Sequence, residues 1–336
     1  MKLSDIGEFG LLDIIKKEVP AYPPDVVKGI GDDTAVLKVN GSKLQLMTTD
    51  MLVEGVHFSL AYALPWQVGV KALNVNVSDI IAMGGKPTNA TVAIGIPKDM
   101  DSEIVQGIYR GIADMATRYN ISIVGGDTVS APVTVINITL LGEVEESQVI
   151  YRSGAKPGDI IFVTGPLGGS TAGLFHFKHP DLLTLEDVAR EAANMHLLPM
   201  PRVEESKLLV STGIVTAMND ISDGLASELF EICQASGVGC QIYAEKIPVS
   251  KPAKTIAWST GHNALEWALY GGEDYQLVFT VPQDKALQLA RFMKARGKPL
   301  VYIGDITPQS MYVIDAKGSK LPFSAMGYDH FSKSSE

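Results

Sequence analysis

Pro65-Trp-Gln-Val-Gly-Val-Lys-Ala-Leu-Asn-Val-Asn-Val-Ser-Asp-Ile-Ile-Ala-Met-Gly-Gly85 is followed closely by Thr88-Asn-Ala-Thr-Val-Ala-Ile-Gly95. The first segment reads as one helix through Met83. Proline opens its first turn, where a missing N–H costs nothing, and Gly84-Gly85 stands just past its end. The second segment is short and strand-like. Alternation of this kind is the signature of mixed α/β architecture, and it continues in both directions. Upstream, Leu44–Thr49 reads as a strand ending in polar residues and Asp50. Downstream, Ser102–Tyr119 reads as a helix capped by Ser102, and Ile121–Val124 and Val133–Val144 as strands.

A turn-rich stretch, Tyr151-Arg-Ser-Gly-Ala-Lys-Pro-Gly158, follows the acidic Glu143, Glu145 and Glu146. A domain boundary is expected there, giving units 1–150 and 151–336. The length of 336 residues agrees with about two domains. Beyond the break the pattern predicts strands at Ile160–Thr164, Ile214–Met218, Gly239–Tyr243, Gln276–Val281 and Leu300–Ile303. Helices are expected between Ser170 and Thr212, over Leu225–Ser236 and over Asp284–Ala295.

Composition removes several function classes. Hydrophobic residues make up 46% and the formal charge is −10, so a core is affordable and a phosphate backbone is repelled. Nucleic acid is therefore not an expected partner. The longest uncharged run, Ile160–Phe177, contains Gly165, Pro166, Gly168, Gly169 and Gly173, which argue for strand, turn and helix rather than a membrane span. Asp5, Glu8 and Asp13 interrupt any signal-like apolar stretch. Cys233 and Cys240 lack metal-site spacing and read as buried, reduced thiols. The expected location is the cytoplasm.

Chemistry gathers around aspartates at the polar ends of apolar runs, beside glycine or a hydroxyl. They occur in Gly31-Asp-Asp-Thr34, Thr48-Thr-Asp50, Ser78-Asp79, Gly125-Gly-Asp-Thr128 and Asp220-Ile-Ser-Asp-Gly224. One such aspartate is commonly a turn former or helix cap. Several of them converging on one crevice could not all stay ionised without a cation. Mg²⁺ suits oxygen ligands and is typically shared between carboxylates and substrate phosphates, so the pattern points to a nucleotide polyphosphate. The GxGxxG, Walker and protein-kinase signatures are missing, and so is a GxSxG nucleophile elbow. Among the few nearby cations, Lys71 taken alone reads as a surface salt bridge, while Arg152 could clamp phosphate. His57 follows Asp50 closely enough to face the same pocket.

Taken in order, the motifs resemble a known family. They are Gly29-Ile-Gly-Asp-Asp33, Thr48-Thr-Asp-Met-Leu-Val-Glu-Gly-Val-His-Phe58, Asn76-Val-Ser-Asp-Ile-Ile-Ala-Met-Gly84, Gly125-Gly-Asp-Thr128, Arg152-Ser-Gly-Ala-Lys-Pro-Gly-Asp159, Ile221-Ser-Asp-Gly-Leu225, Gly271-Gly-Glu-Asp-Tyr275 and Gly327-Tyr-Asp-His-Phe331. The set resembles the thiamine-monophosphate kinase family from about Gly7 to Phe331. The resemblance implies the two-domain aminoimidazole ribonucleotide synthetase-like fold, with N-terminal sheets paired in a homodimer. It implies a first domain that binds Mg²⁺ and ATP and a second that completes the active site. The implied reaction is direct transfer of the ATP γ-phosphoryl group onto thiamine monophosphate, with several Mg²⁺ ions.

Residue by residue, the resemblance makes Asp33, Thr48, Thr49, Asp50, Asp79, Asp127, Asp220 and Asp223 Mg²⁺ ligands. Tyr109, Gly126, Asp127, Arg152 and Ser222 become ATP contacts, and Asp50, Asp127 and Arg152 carry the catalysis. His57 and Glu273 become substrate contacts, joined by an aromatic near the C-terminus, Tyr328 or Phe323. The alternatives are a synthetase-like ATP-dependent cyclisation, or a Mg–ATP sensor without chemistry.

Overall fold

The computed structural model describes residues 3–18, 20, 22–39, 41–182, 185–322 and 327–328. Helix α1 (Leu3–Glu18) precedes a six-stranded sheet. Its strands are β1 (Val26–Lys28), β2 (Ala35–Lys38), β3 (Lys43–Val53), β4 (Lys86–Ile96), β5 (Ser122–Ser130) and β6 (Val135–Glu145), in the order β1-β2-β3-β6-β4-β5. Neighbours are antiparallel except β4 and β5. Helices α2 (Pro65–Ala82) and α3 (Ser102–Tyr119) complete this half.

β3 alternates strictly: Leu44, Leu46, Thr48 and Leu52 are buried, while Met47, Thr49 and Met51 are exposed. That is the period-2 pattern of a sheet covered on one face. Against the sequence reading, β3 runs through Asp50 to Val53, and β5 runs through Gly125–Thr128 rather than stopping at Val124. The eleven-residue ladder from Lys43↔Glu145 to Val53↔Val135 holds β3 extended past its polar residues. Backbone pairing outweighs the turn preference of Asp.

The second half supplies β7 (Ile160–Val163), α4 (Gly169–Lys178), α5 (Glu186–Leu197), α6 (Val203–Thr212), β8 (Ala217–Asp220), α7 (Leu225–Ser236) and β9 (Gly239–Tyr243). It continues with α8 (Lys251–Thr260), α9 (Ala264–Tyr270), β10 (Leu277–Val281), α10 (Gln283–Lys294), β11 (Val301–Thr307), β12 (Tyr312–Ile314) and β13 (Lys320–Pro322). These strands form a second sheet, β13-β12-β9-β11-β7-β10-β8. Only β12 and β9 pair in parallel.

α2 joins the two halves. Every residue from Val68 to Ala82 except Asp79 is buried, because the helix lies against β3, β4 and β6 on one side and against β8, α5 and α6 on the other. Its Leu73, Val77 and Ile80 are fully enclosed, each worth roughly 1.5–3 kcal/mol of burial. α3 crosses α2 closely, since a Cβ on Gly111 would lie 2.0 Å from the Trp66 carbonyl oxygen. A helix so enclosed fixes the polar groups it carries into the seam between the two sheets.

Candidate active site

The polar side chains of α2 meet those of both sheets. Thr48 Oγ1 on β3 donates to Asp79 Oδ2 at 2.5 Å, and Asn76 Oδ1 accepts from the Asp50 amide at 3.2 Å. The Asp50 and Asp79 carboxyl groups are themselves hydrogen-bonded. One residue back, Ser78 Oγ donates to Asp220 Oδ2 at 2.5 Å, at the end of β8. Asp33 reaches the same place from the loop before β2, and Asp223 from the loop before α7. The structure thus gathers Asp33, Thr48, Asp50, Asp79, Asp220 and Asp223.

Their electrostatics are unbalanced. Burial is the largest cause raising each carboxyl, and neighbouring carboxylates add to it for Asp33, Asp50, Asp79 and Asp223. Asp50 and Asp223 are pushed up to about 7 and Asp220 to about 6. Two ionised carboxylates about 5 Å apart repel by roughly 3 kcal/mol at an effective dielectric of about 20. Arg152 is the cation at the centre. Its Nη2 lies 2.5 Å from Asp33 Oδ1, its Nη1 3.0 Å from Glu231 Oε1, and its Nε 3.3 Å from Asn219 Oδ1. It is a half-buried clamp rather than a surface bridge, and one guanidinium cannot neutralise the set.

A cleft of about 880 Å³ opens on this cluster, lined by Phe9 and Lys16 of α1, Gly29–Ala35, Met47–Thr49, Arg152 and Glu231. It is wide enough for a nucleotide. β3 borders it because β2 begins only at the Ala35↔Met47 pair, leaving Thr48 onward unpaired on that side.

A second group lies one helix station away. Lys71 is not at the surface, as its sequence context suggested, but 1% exposed; its Nζ lies 2.6 Å from Glu273 Oε1 and 3.0 Å from the His57 carbonyl oxygen. The expected substrate contacts His57 and Glu273 are therefore joined through Lys71. Glu273 Oε2 also lies 3.4 Å from His196 Nδ1. Burial and the Lys71 charge push His196 down to about 4. Glu273 and Tyr275 hold positive φ angles of 66° and 47°, a conformation that costs about 1–3 kcal/mol in non-glycine residues and clusters at functional sites. They keep it because the Glu273 amide donates to the Ser222 carbonyl at 2.6 Å and the Tyr275 amide to that of Ile221 at 2.8 Å. The Tyr328 amide donates to the Asp223 carbonyl at 3.1 Å, which sets its ring near Glu273 and Asp223.

Other expected residues stand apart. Thr49 borders the cleft, but its hydroxyl turns to the opposite face of β3, among Asn137, Ile138 and Thr139. Asp127 lies on β5, paired with Ala93, three strands from β3 and on the exposed side. Gly126 is required by packing, because a Cβ there would meet the Val92 carbonyl at 1.8 Å. Tyr109 is exposed on the side of α3 turned from α2, since Gly107 and Gly111 face Pro65 and Trp66. Phe323 lies outside the described residues.

Sequence reasoning missed Glu228, which is 1% exposed on α7. It accepts from the Asp223 amide at 3.0 Å, from Ser222 Oγ at 3.2 Å and from Asn219 Nδ2, and so shapes the loop that carries Asp220 and Asp223. It also missed Asp274, pushed up to about 7 by burial and holding the Gly168 and Ser170 amides before α4. A lone Glu three residues into a helix gives no signal of burial.

The donor set fits hard divalent cations: all oxygens, buried, in anionic surplus, with Asp33 Oδ2 enclosed and lacking a hydrogen-bond partner among the described residues. Among those residues, no group of three or more His, Cys, Asp or Glu is arranged to hold a metal by itself. Mg²⁺ suits such a site because it keeps waters and shares phosphate oxygens. No helix of the described residues is long and apolar enough to cross a membrane.

Residues 31–144 match the family model for the AIR synthase related protein N-terminal domain, and residues 156–317 that for its C-terminal domain. The thiamine-monophosphate kinase of Aquifex aeolicus is 40% identical over 290 residues, covering 85% of this chain and 89% of that protein. That of Bacillus subtilis is 36% identical over 337 residues, covering 97% of this chain and all of its own length. The solved structure of AaThiL complexed with AMPPCP and TMP superposes with a TM-score of 0.85 at 36% identity, covering 98% of this chain and 99% of that one. With both halves matched and the relatives spanned nearly end to end, the chain belongs to the thiamine-monophosphate kinase family.

Proposed function

We propose that this chain transfers the γ-phosphoryl group of ATP directly onto the phosphate of thiamine monophosphate, giving thiamine diphosphate and ADP. The observation that carries the reading is the surplus of buried carboxylates on α2, β3 and β8 beside a nucleotide-sized cleft. Bound Mg²⁺ supplies charge neutralisation between two anionic reactants and stabilises charge on the transferring oxygens. Asp33, Thr48, Asp50, Asp79, Asp220 and Asp223 would hold it. Arg152, already aimed into the cleft, offers a planar fork to a phosphate group. The acceptor is an anionic oxygen, so no strong general base is needed. His57, Glu273 and Tyr328 line the substrate end, with Lys71 fixing the first two. Ser222 stands beside the nucleotide. The work divides between 1–150 and 151–336, and the location is cytoplasmic.

The reading extends to a homodimer. The exposed side of the first sheet carries Met47, Met51, Val124 and Val129 together with Thr49 and Asp127. Asp127, Gly126 and Tyr109 reach a site only if a second copy packs there and supplies them in trans. Purified protein should release ADP with ATP, Mg²⁺ and thiamine monophosphate and almost none with thiamine. Turnover of formylglycinamidine ribonucleotide instead would establish the cyclisation alternative, and ATP binding without turnover the sensor. Mixing Asp50→Asn and Asp127→Asn chains tests the trans arrangement. Random mixing should restore about a quarter of full activity, whereas a cis arrangement restores none.

A further inference from the structure

A second large cleft, about 860 Å³, shares no lining residue with the carboxylate cleft. Gly84–Pro87 after α2, the C-terminal end of α3, and Met200–Ser211 running into α6 border it. Its charge is opposite in sign to that of the chain. Lys43, Lys86, Arg118, Arg202, Lys207 and Lys298 face Glu143, Glu145, Glu204 and Glu205, in a protein of net charge −10. Most of the acids are already engaged: Lys43 with Glu143 at 2.9 Å, Lys207 with Glu204 at 3.0 Å, Lys298 with Glu205 at 3.1 Å, and Glu145 with Ser42 Oγ at 3.0 Å. Among the described residues, Lys86, Arg118 and Arg202 have no carboxylate within ion-pair distance.

Two donors in the same cleft are more telling. Arg202 Nε and the Tyr119 hydroxyl are both buried without a hydrogen-bond partner among the described residues. An enclosed donor left unsatisfied is unfavourable, and more so on a charged group. Both residues line one cavity, beside Lys86 and Arg118, whose guanidinium lies 5.8 Å from the centre of the Tyr119 ring. The walls are fixed in advance, because Ser206 Oγ donates to the Ile81 carbonyl at 2.7 Å and Asn74 Nδ2 to that of Pro199 at 2.7 Å. Both ties run to α2, so the cleft is preformed rather than a gap between loose parts.

We propose that this cleft is a binding site for the phosphoryl group of a small metabolite, held by Arg202 Nε and the Tyr119 hydroxyl and flanked by Lys86 and Arg118. A tetrahedral oxyanion offers acceptors on several sides to such donors and matches the local surplus of positive charge. The site does not depend on the proposed phosphoryl transfer.

Crystals of the full chain soaked in tungstate, an oxyanion of phosphate's shape with a strong anomalous signal, test this directly. The expected result is an anomalous peak within hydrogen-bonding reach of Arg202 and Tyr119. It should be lost in Arg202→Met/Tyr119→Phe and in the surface variant Lys86→Glu/Arg118→Glu, which leaves both buried donors intact and decides the matter if the first pair fails to fold. No peak in this cleft, or one unchanged in the folded variants, overturns the proposal. A separate peak at Arg152 bears only on the carboxylate cleft, so the two sites are judged independently.

Discussion

Lys71 and Asp79 sit eight residues apart on α2, about 12 Å along its axis, yet their surroundings are opposites. Lys71 meets a carboxylate of the second half, and the buried charges cancel. Asp79 meets Asp50, Asp220 and Asp33, and they do not. Both stations lie between the same two sheets, and the small opening at Asp79 is not what sets them apart. Charge balance is. A cancelled pair in the seam holds a shape, here the positive-φ loop at Glu273. An uncancelled cluster in the same seam marks a place fitted to receive positive charge with a ligand.

The comparison breaks first at the balanced end. Lys71→Met keeps the volume of the side chain and leaves the half-buried Glu273 without its cation. Removing one member of a buried pair typically costs about 3–5 kcal/mol, to be measured by denaturant unfolding. Adding Glu273→Gln should return most of that loss. A single-variant cost near zero would mean that the pair is not buried in solution and that the two stations are alike.

His196, beside the same pair, gives the contrast a pH signature. Its pKa is depressed to about 4 by burial first and the Lys71 charge second. Between about 6.5 and 4 the unfolded chain gains a proton that the folded chain refuses. The contribution is therefore present above pH 6.5 and lost as the pH falls through 4, about 3 kcal/mol in all. Asp274 runs the other way: raised to about 7, its contribution is full at low pH and declines as the pH climbs to 7. Subtracting the stability curve of His196→Gln from that of the parent isolates the histidine. A flat difference between pH 4 and 7 would show that His196 titrates normally.

At the unbalanced end the expected effects are on rate rather than stability. Asp50→Asn should cut ADP release by about a hundredfold, or roughly 2.7 kcal/mol of transition-state stabilisation. Without Mg²⁺ its melting temperature should hold or rise, because a repelling charge has left the Asp79 and Asp220 cluster. A lower melting temperature with normal turnover would make Asp50 a structural residue and erase the difference between the stations.

How much of this could be read from letters follows the range of the interactions. α2, Leu225–Ser236 and Gly239–Tyr243 were legible because capping and period are local. The convergence of Asp33, Asp50, Asp79, Asp220 and Asp223 was legible as a repeated chemical type. What escaped was facing. Thr48 and Thr49 are neighbours in sequence, and only the pleat sends one to Asp79 and the other to Thr139. Lys71 looked like a surface lysine because its partner, Glu273, lies about two hundred residues further along. Glu228 gave no signal, since its work is to accept hydrogen bonds from Asn219 on β8 and from two residues of a loop whose path only the fold determines.

The smallest expected effect tests whether Arg152 belongs to the unbalanced station as a ligand clamp or merely as its counter-charge. Asp33 and Glu231 grip two different nitrogens of its guanidinium, so a plain positive charge at this position would largely preserve the fold. Arg152→Lys keeps that charge and removes the planar fork, which matters for bidentate contact with phosphate and little for bulk neutralisation. The KM for ATP should rise about tenfold, close to 1.4 kcal/mol, with kcat and the melting temperature nearly unchanged. An unaltered KM with a lowered melting temperature would place Arg152 with Lys71 instead, as one half of a pair that holds the seam closed.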